Sequence, residues 1–113
     1  EIQTEGPGQV RALLTSAGNP VLSTPNGRRL DAALASLEYM VSIDFYVNET
    51  TRHANLILPP TFALERDHYD LVFHGLAVRN TAKYAKPLFP PAPGARHDWE
   101  IFAGLVSRLE RLD

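Results

Sequence analysis

The chain has 113 residues, no cysteine and a formal net charge of −2, and 44% of its residues are hydrophobic. That length accommodates one packed domain, the small negative charge argues against nucleic acid as a main partner, and the absent thiols exclude disulfides, iron–sulfur ligation and cysteine nucleophiles within the chain. No apolar run reaches the roughly eighteen residues that span a bilayer, and the first residues lack a basic flank followed by an apolar stretch, so a cytoplasmic setting without membrane contact is expected.

Residues 1–9 read as a linker, because EIQTEGPG is polar and closes on Gly-Pro-Gly, and the domain is expected over 10–113. The chain opens on Glu1 and its one methionine is Met40, so it is expected to be processed or to be part of something longer. Val10 to Ala17 is a short apolar run closed by Gly18-Asn19-Pro20, which suits a buried strand. VLSTPNGRR is rich in turn formers, and then Leu30, Ala33, Leu34 and Leu37 recur at the spacing of one helical face, with Asp31 and Pro25-Asn26 near its start. Tyr39–Asp44 predicts a second strand and Asn55–Leu58 a third, stopped by Pro59-Pro60; Phe45–Ala54 between them is a polar loop with a turn or two of helix. Strand, helix, strand, crossover, strand is the order of an α/β unit with a mainly parallel sheet.

Beyond the prolines, DLVFH and LAVRNTAKY flank Gly75 and suit a β-hairpin or an extended excursion. The run PLFPPAPGAR is too rich in proline for a regular element. From Asp98, a credible N-cap, residues Trp99, Phe102, Ala103, Val106 and Leu109 repeat at helical spacing and predict a closing helix whose Trp99 face packs on the sheet.

The common signatures of phosphate loops, dinucleotide-binding turns, zinc helices and serine nucleophile elbows are missing. His53, His68, His74 and His97 read as ordinary surface or hydrogen-bonded residues, and the sequon at Asn48 is discounted as a chance match. Glu65, Asp67 and Asp70 form an acidic cluster that reads first as a solvated loop with Arg66 as counterion, and an independent hydrolase built on Glu65 and His68 is a remote option. The strand ends are more informative, since open α/β sheets collect ligands at the carboxyl ends of their strands. There the chain offers Asn19, whose amide both donates and accepts, Asp44, whose carboxylate accepts paired N–H or hydroxyl donors, and Glu65-Arg66 shortly after the third strand. Each has a bland alternative, as a turn, a cap or a surface ion pair, while all three together favour a nucleotide-like ligand.

The order of Gly18-Asn19-Pro20, Asp44 followed by Glu49-Thr50, the segment Ala54–Pro59, and Asp98-Trp99 resembles one domain of the dimethyl sulfoxide reductase superfamily of molybdopterin oxidoreductases, which includes formate dehydrogenases and nitrate reductases. The resemblance runs from about Val10 to Leu109. It implies a three-layer Rossmann-like α/β domain, the third of four in such enzymes, holding one molybdopterin guanine dinucleotide of the pair that chelates molybdenum. Carried onto this sequence, it implies that Asn19 contacts the cofactor, that Asp44 with the backbone of Ile43 recognises the guanine, that Arg66 supplies a basic contact and that Asp98 adds another on the guanine side. It also implies an iron–sulfur cluster and the molybdenum ligand elsewhere in the parent, other domains of that parent as partners, and no catalysis by this chain alone. Exposed Phe45, Tyr46 and Phe89 would then be covered by neighbouring domains. Two departures stand out. Ala54-Asn55-Leu56 replaces the usual Ala-Asp-Val, and Glu65-Arg66-Asp67-His68-Tyr69-Asp70 replaces Glu-x-x-Gly-Thr. The alternative is a stand-alone α/β module for a nucleotide or protein partner, which fold alone leaves open.

Overall fold

Short apolar runs bounded by turn formers are too brief for helices, and in the structure, a computed structural model that describes residues 1–111, they become strands. β1 (Ala12–Ser16), β2 (Tyr39–Ile43) and β3 (Leu56–Ile57) form a parallel sheet in the order β1-β2-β3. The fold is α/β, as the sequence implies. Residues 112 and 113, the end of the expected 10–113 domain, lie outside the described residues.

The chain divides into two compact units, the first over Glu1–Pro59 and the second from Pro60 onward. In the first unit the central strand β2 carries the core, with Met40, Ser42 and Ile43 all buried. β1 is shorter than its apolar run and alternates between exposed and half-shielded, with Leu14 exposed, so the expectation of a buried strand is corrected. It lies at the edge of the sheet, where one long side has no neighbouring strand. Thr15 and Ser42 pair their hydroxyls across the two strands at 2.9 Å, which satisfies a polar group that Ser42 otherwise buries.

Two helices cross from β1 to β2. α1 (Pro20–Ser23) is a single turn that the sequence reading passed over as turn formers, begun by a proline whose missing N–H costs nothing at a helix start. α2 (Gly27–Ala35) starts three residues earlier than Leu30 and stops before Leu37, while the predicted face holds: Ala33 and Leu34 are buried, Leu30 and Leu37 half-buried. Gly27 is required by a close approach, because a Cβ there would fall 2.1 Å from the backbone oxygen of Val21. Asp31 therefore lies in mid-helix rather than near the start. Between β2 and β3 the polar loop folds one 3-10 turn over Thr51–His53, as expected.

In the second unit, β4 (His68–Asp70) and β5 (Lys83–Ala85) make an antiparallel ribbon. The hairpin foreseen around Gly75 is thus displaced, and Gly75 itself lies in a 3-10 turn over Phe73–Leu76. The proline-rich run is extended and tied back, its Leu88 and Phe89 N–H groups both donating to the Leu64 carbonyl at 2.8 and 3.0 Å. α3 (Asp98–Leu109) closes the described chain. Its N-cap is His97 and not Asp98, which is the first helical residue; the Glu100 carboxylate accepts the His97 N–H at 2.7 Å. The period of α3 was readable but its buried face was not, since Ile101 is buried while Trp99, Phe102, Val106 and Leu109 are exposed. Among the described residues no helix is long and apolar enough to cross a membrane.

Because Leu34 is 2% exposed on the one helical face that covers the first unit's core, Leu34→Ala should lower stability by about 2–5 kcal/mol, and Leu22→Ala, which trims an exposed side chain, by under about 0.5 kcal/mol. Urea denaturation of the two variants checks the difference.

Candidate functional site

Parallel pairing decides where the polar strand ends meet. Ser16 is in register with Ile43, and Leu58 N–H donates to the Ser42 carbonyl, so the carboxyl ends of β1, β2 and β3 lie along one edge. The ladder runs one step past β1, with Ala17 N–H donating to the Ile43 carbonyl at 2.9 Å. Ala17 and Gly18 then adopt left-handed backbone, φ 55° and 77°, and turn the chain sharply into Asn19.

Asn19 is fastened on both sides of its amide. Its Nδ2 donates to Glu49 Oε2 at 2.6 Å, and its Oδ1 accepts the Thr50 hydroxyl at 2.7 Å. The same Thr50 oxygen accepts the Val21 N–H at 3.1 Å, and Thr50 has no exposed surface. Hydrogen bonding from Asn19, helped by its own N–H and by Arg52, holds the exposed Glu49 carboxyl below its ordinary value.

Asp44 stands at the tip of β2, half-buried, and organises the loop that follows it. One carboxylate oxygen accepts the Tyr46 N–H at 3.0 Å and the other the Asn48 amide at 3.4 Å. Asn48 in turn accepts the N–H groups of Thr50 and Thr51 at 2.9 and 3.0 Å. A carboxylate has about four acceptor positions, so Asp44 keeps capacity for a further pair of donors. Ile43 is buried, and its carbonyl is the group that Ala17 bonds. Asn55, which departs from the usual carboxylate, accepts the Met40 N–H through Oδ1 at 2.7 Å; an amide oxygen does this as well as a carboxylate oxygen, so the exchange leaves the β2–β3 junction intact.

The second unit pairs two other sequence candidates with each other. Arg66 donates to Asp98 at 2.9 Å, and both line a cleft of about 250 Å³ with Asp67, His68, Tyr69, His97 and Trp99. Partial burial pushes the Asp98 carboxyl up, but the Arg66 guanidinium and the Trp99 N–H outweigh it and hold the group below its ordinary value. His97 bonds the Thr61 hydroxyl at 2.7 Å and stacks on Trp99 at 6.1 Å between ring centres, so one wall of the cleft is flat and aromatic.

The acidic cluster does not act as a unit. Glu65 accepts the Phe62 N–H at 2.8 Å, Asp67 the Tyr84 hydroxyl at 3.0 Å, and Asp70 faces His74 at 3.8 Å. Among the described residues no group of His, Asp and Glu is placed to hold a metal ion, and no hydrogen bond joins Glu65 to His68. Two polar groups are not legible as partners in the sequence: Thr50, which bonds the strand-tip residue Asn19 about thirty residues away, and Asp31, which receives both Arg52 and His53 of the Thr51–His53 turn. Only the pairing of an Asn after β1 with Glu49-Thr50 after β2, noted for its order, hinted at the first.

Comparison with known proteins shows what the chain is similar to. A family model described as molybdopterin oxidoreductase matches residues 1–108. The chain is 35% identical over 103 residues to the assimilatory nitrate reductase catalytic subunit of Bacillus subtilis, covering 90% of this chain and 14% of that protein. It is 32% identical over 102 residues to the dimethyl sulfoxide/trimethylamine N-oxide reductase of Cereibacter sphaeroides, covering 88% of this chain and 12% of the relative. To the F420-dependent formate dehydrogenase subunit alpha of Methanocaldococcus jannaschii it is 28% identical over 109 residues, with 96% and 16% covered. The chain therefore spans about one seventh of the length of such relatives.

Removing the hydroxyl of the buried Thr50 leaves a part-buried amide oxygen and a backbone N–H without their partner, so Thr50→Val should cost about 1–3 kcal/mol in thermal or urea unfolding, and Thr50→Ser less. For Asp98 the depressed value means that its ion pair stabilises the fold above the ordinary carboxyl range and is lost as pH falls through the folded value. With Arg66→Ala, the Asp98 midpoint followed by carboxyl-carbon NMR should move upward; an unmoved midpoint would remove Arg66 as the cause.

Proposed function

Since this chain belongs to the molybdopterin oxidoreductase family, we propose that it is the Rossmann-like domain of such an enzyme that holds the guanine dinucleotide end of one molybdopterin, and that it catalyses nothing by itself. The observation that carries the reading is the shared edge of the parallel sheet, where Asn19 and Asp44 follow β1 and β2. Asp44 fits a guanine: its carboxylate has acceptor positions left over at a half-buried tip, and the base offers adjacent N1–H and 2-amino donors. An amide in its place would keep one acceptor oxygen and set an N–H against the second guanine donor. The Ile43 backbone flanks this contact, and the exposed side of Asn19 faces the nucleotide's linker. In the second unit, Arg66 supplies positive charge for phosphate and Asp98 a further acceptor.

When bound, the molybdenum of the cofactor supplies two-electron oxidation or reduction, with transfer of an oxygen atom or a proton. This chain's own residues only bind and orient the nucleotide tail. With no cysteine in the sequence, an iron–sulfur cluster and a thiolate ligand to molybdenum belong to other domains of the parent polypeptide. Those domains are the partners we assign to the exposed apolar run of Leu71, Val72, Phe73, Leu76 and Val78, and to Tyr46 and Phe89. What supports this is the length of the relatives, of which the chain covers 12–16%.

A bidentate carboxylate contact to a base is worth about 1–3 kcal/mol, so Asp44→Ala in the full-length enzyme should weaken cofactor retention by about 5- to 150-fold. Guanine nucleotide released on denaturation and molybdenum content, both per polypeptide, measure it. Wild-type occupancy in the variant would end the guanine role of Asp44.

A further inference from the structure

The loop from Asp44 to Asn55 fastens Asn19 through Glu49 and Thr50, and its internal bonds run through Asn48 and Thr51. None of these bonds ties the far end of the loop to a helix. That contact is made elsewhere. The 3-10 turn Thr51–His53 carries two adjacent side-chain donors, and both reach the same oxygen of α2: Arg52 Nη2 lies 2.7 Å and His53 Nε2 2.6 Å from Asp31 Oδ1. Neighbouring residues ordinarily point apart, so their convergence on one atom defines the orientation of the whole turn. Asp31 is the fifth residue of α2, beyond the first turn, where neither capping nor the helix dipole accounts for a carboxylate. His53 is largely shielded, at 15% exposure, while Arg52 stays half in solvent.

We infer that Asp31 is a positioning residue, a clasp that holds the Thr51–His53 turn against α2 and so sets Thr50 and Glu49 where they grip Asn19. The clasp itself stands on the geometry; its consequence for cofactor binding rests on the proposed role of the strand-tip edge. Without the clasp, Arg52 and His53 lose their partner on α2, and the loop keeps its internal bonds, those of Glu49 and Thr50 to Asn19 and Val21, and those of Asn55 to Met40. The charged and titratable groups around Asp31 are Arg52 and His53 from the turn, with Glu49 acting on Arg52. Hydrogen bonds from Arg52 and then His53 hold the Asp31 carboxyl below its ordinary value. A depressed carboxylate contributes above the ordinary range and loses its contribution as pH falls through the folded value, so the loop should loosen in acid.

Amide hydrogen exchange on the protein carrying this chain tests the clasp, with Thr50, Thr51 and Val21 as reporters, because their N–H groups bond Asn48 and Thr50 in the loop. In Asp31→Ala these three should exchange roughly tenfold faster or more, while Ser42 in the central strand keeps its rate. Asp31→Asn retains an oxygen acceptor without the charge, so it should recover part of the protection and abolish its acid dependence. If Asp31→Ala does not fold, Arg52→Met and His53→Phe, which each remove one donor, carry the same measurement. Exchange at the three reporters within about twofold of the parent would overturn the clasp. Cofactor occupancy of the holoenzyme separates the two readings. A loosened loop with lowered occupancy supports the positioning role, and a loosened loop with unchanged occupancy overturns it. Unchanged occupancy in Asp44→Ala removes the guanine reading and leaves the exchange result standing.

Discussion

A single buried hydroxyl joins the two polar tips of the parallel sheet. Thr50 gives its proton to Asn19 and takes the Val21 N–H, so one side chain links the segment after β1 to the segment after β2 across about thirty residues of chain. Its full burial makes each bond expensive to leave unmade, which gives the junction one arrangement rather than several. The rest of the first unit's strand-tip edge follows from that arrangement. Asn19 is held on both sides of its amide, Glu49 is held beside it, and Asp44 stands over a loop in which the Tyr46, Asn48, Thr50 and Thr51 N–H groups are already bonded.

The economy of this edge lies in short polar side chains that bond backbone locally. Asp44, Asn48, Thr51 and Asn55 each take or give bonds to main-chain groups that no strand or helix supplies. A long loop is ordinarily mobile, because ordering each residue costs entropy that exposed backbone does not offset. Here the loop between β2 and β3 is crowded with such bonds, and its cationic turn is anchored to α2 besides. A rigid loop suits a site that must discriminate by hydrogen-bond geometry, since a donor or acceptor displaced by an ångström recognises little.

The second unit is built differently. Its ordered contacts concentrate near Thr61, Arg66, His97 and Asp98, while the residues 71–78 expose nearly every apolar side chain they carry. This exposed apolar run follows directly on Glu65-Arg66-Asp67-His68-Tyr69-Asp70, the stretch where the sequence departs from the pattern that the resemblance implies. The Arg66–Asp98 pair, two residues that the resemblance assigns separately to the cofactor, are each other's partner in this state; the pair is partly exposed, so solvent screens it and a stronger anion could compete for the guanidinium.

By itself the sequence determined the α/β class, the three parallel strands, the buried face of α2, the irregular proline run, the existence of α3 and the family. These rest on periodicity, on turn formers and on motif order, all of which are local or linear in the chain. It also singled out Asn19 and Asp44, because a strand end is a definable place once the strand is found. Tertiary structure alone decided the edge position of β1, the single turn of α1, the exposed Trp99 face of α3, His97 rather than Asp98 as its cap, and the partners of Thr50 and Asp31. Each of those depends on which distant residue arrives beside a given side chain. A threonine reads the same in sequence whether its hydroxyl meets water or an amide some thirty residues away in the chain, and only folding brings that amide to it.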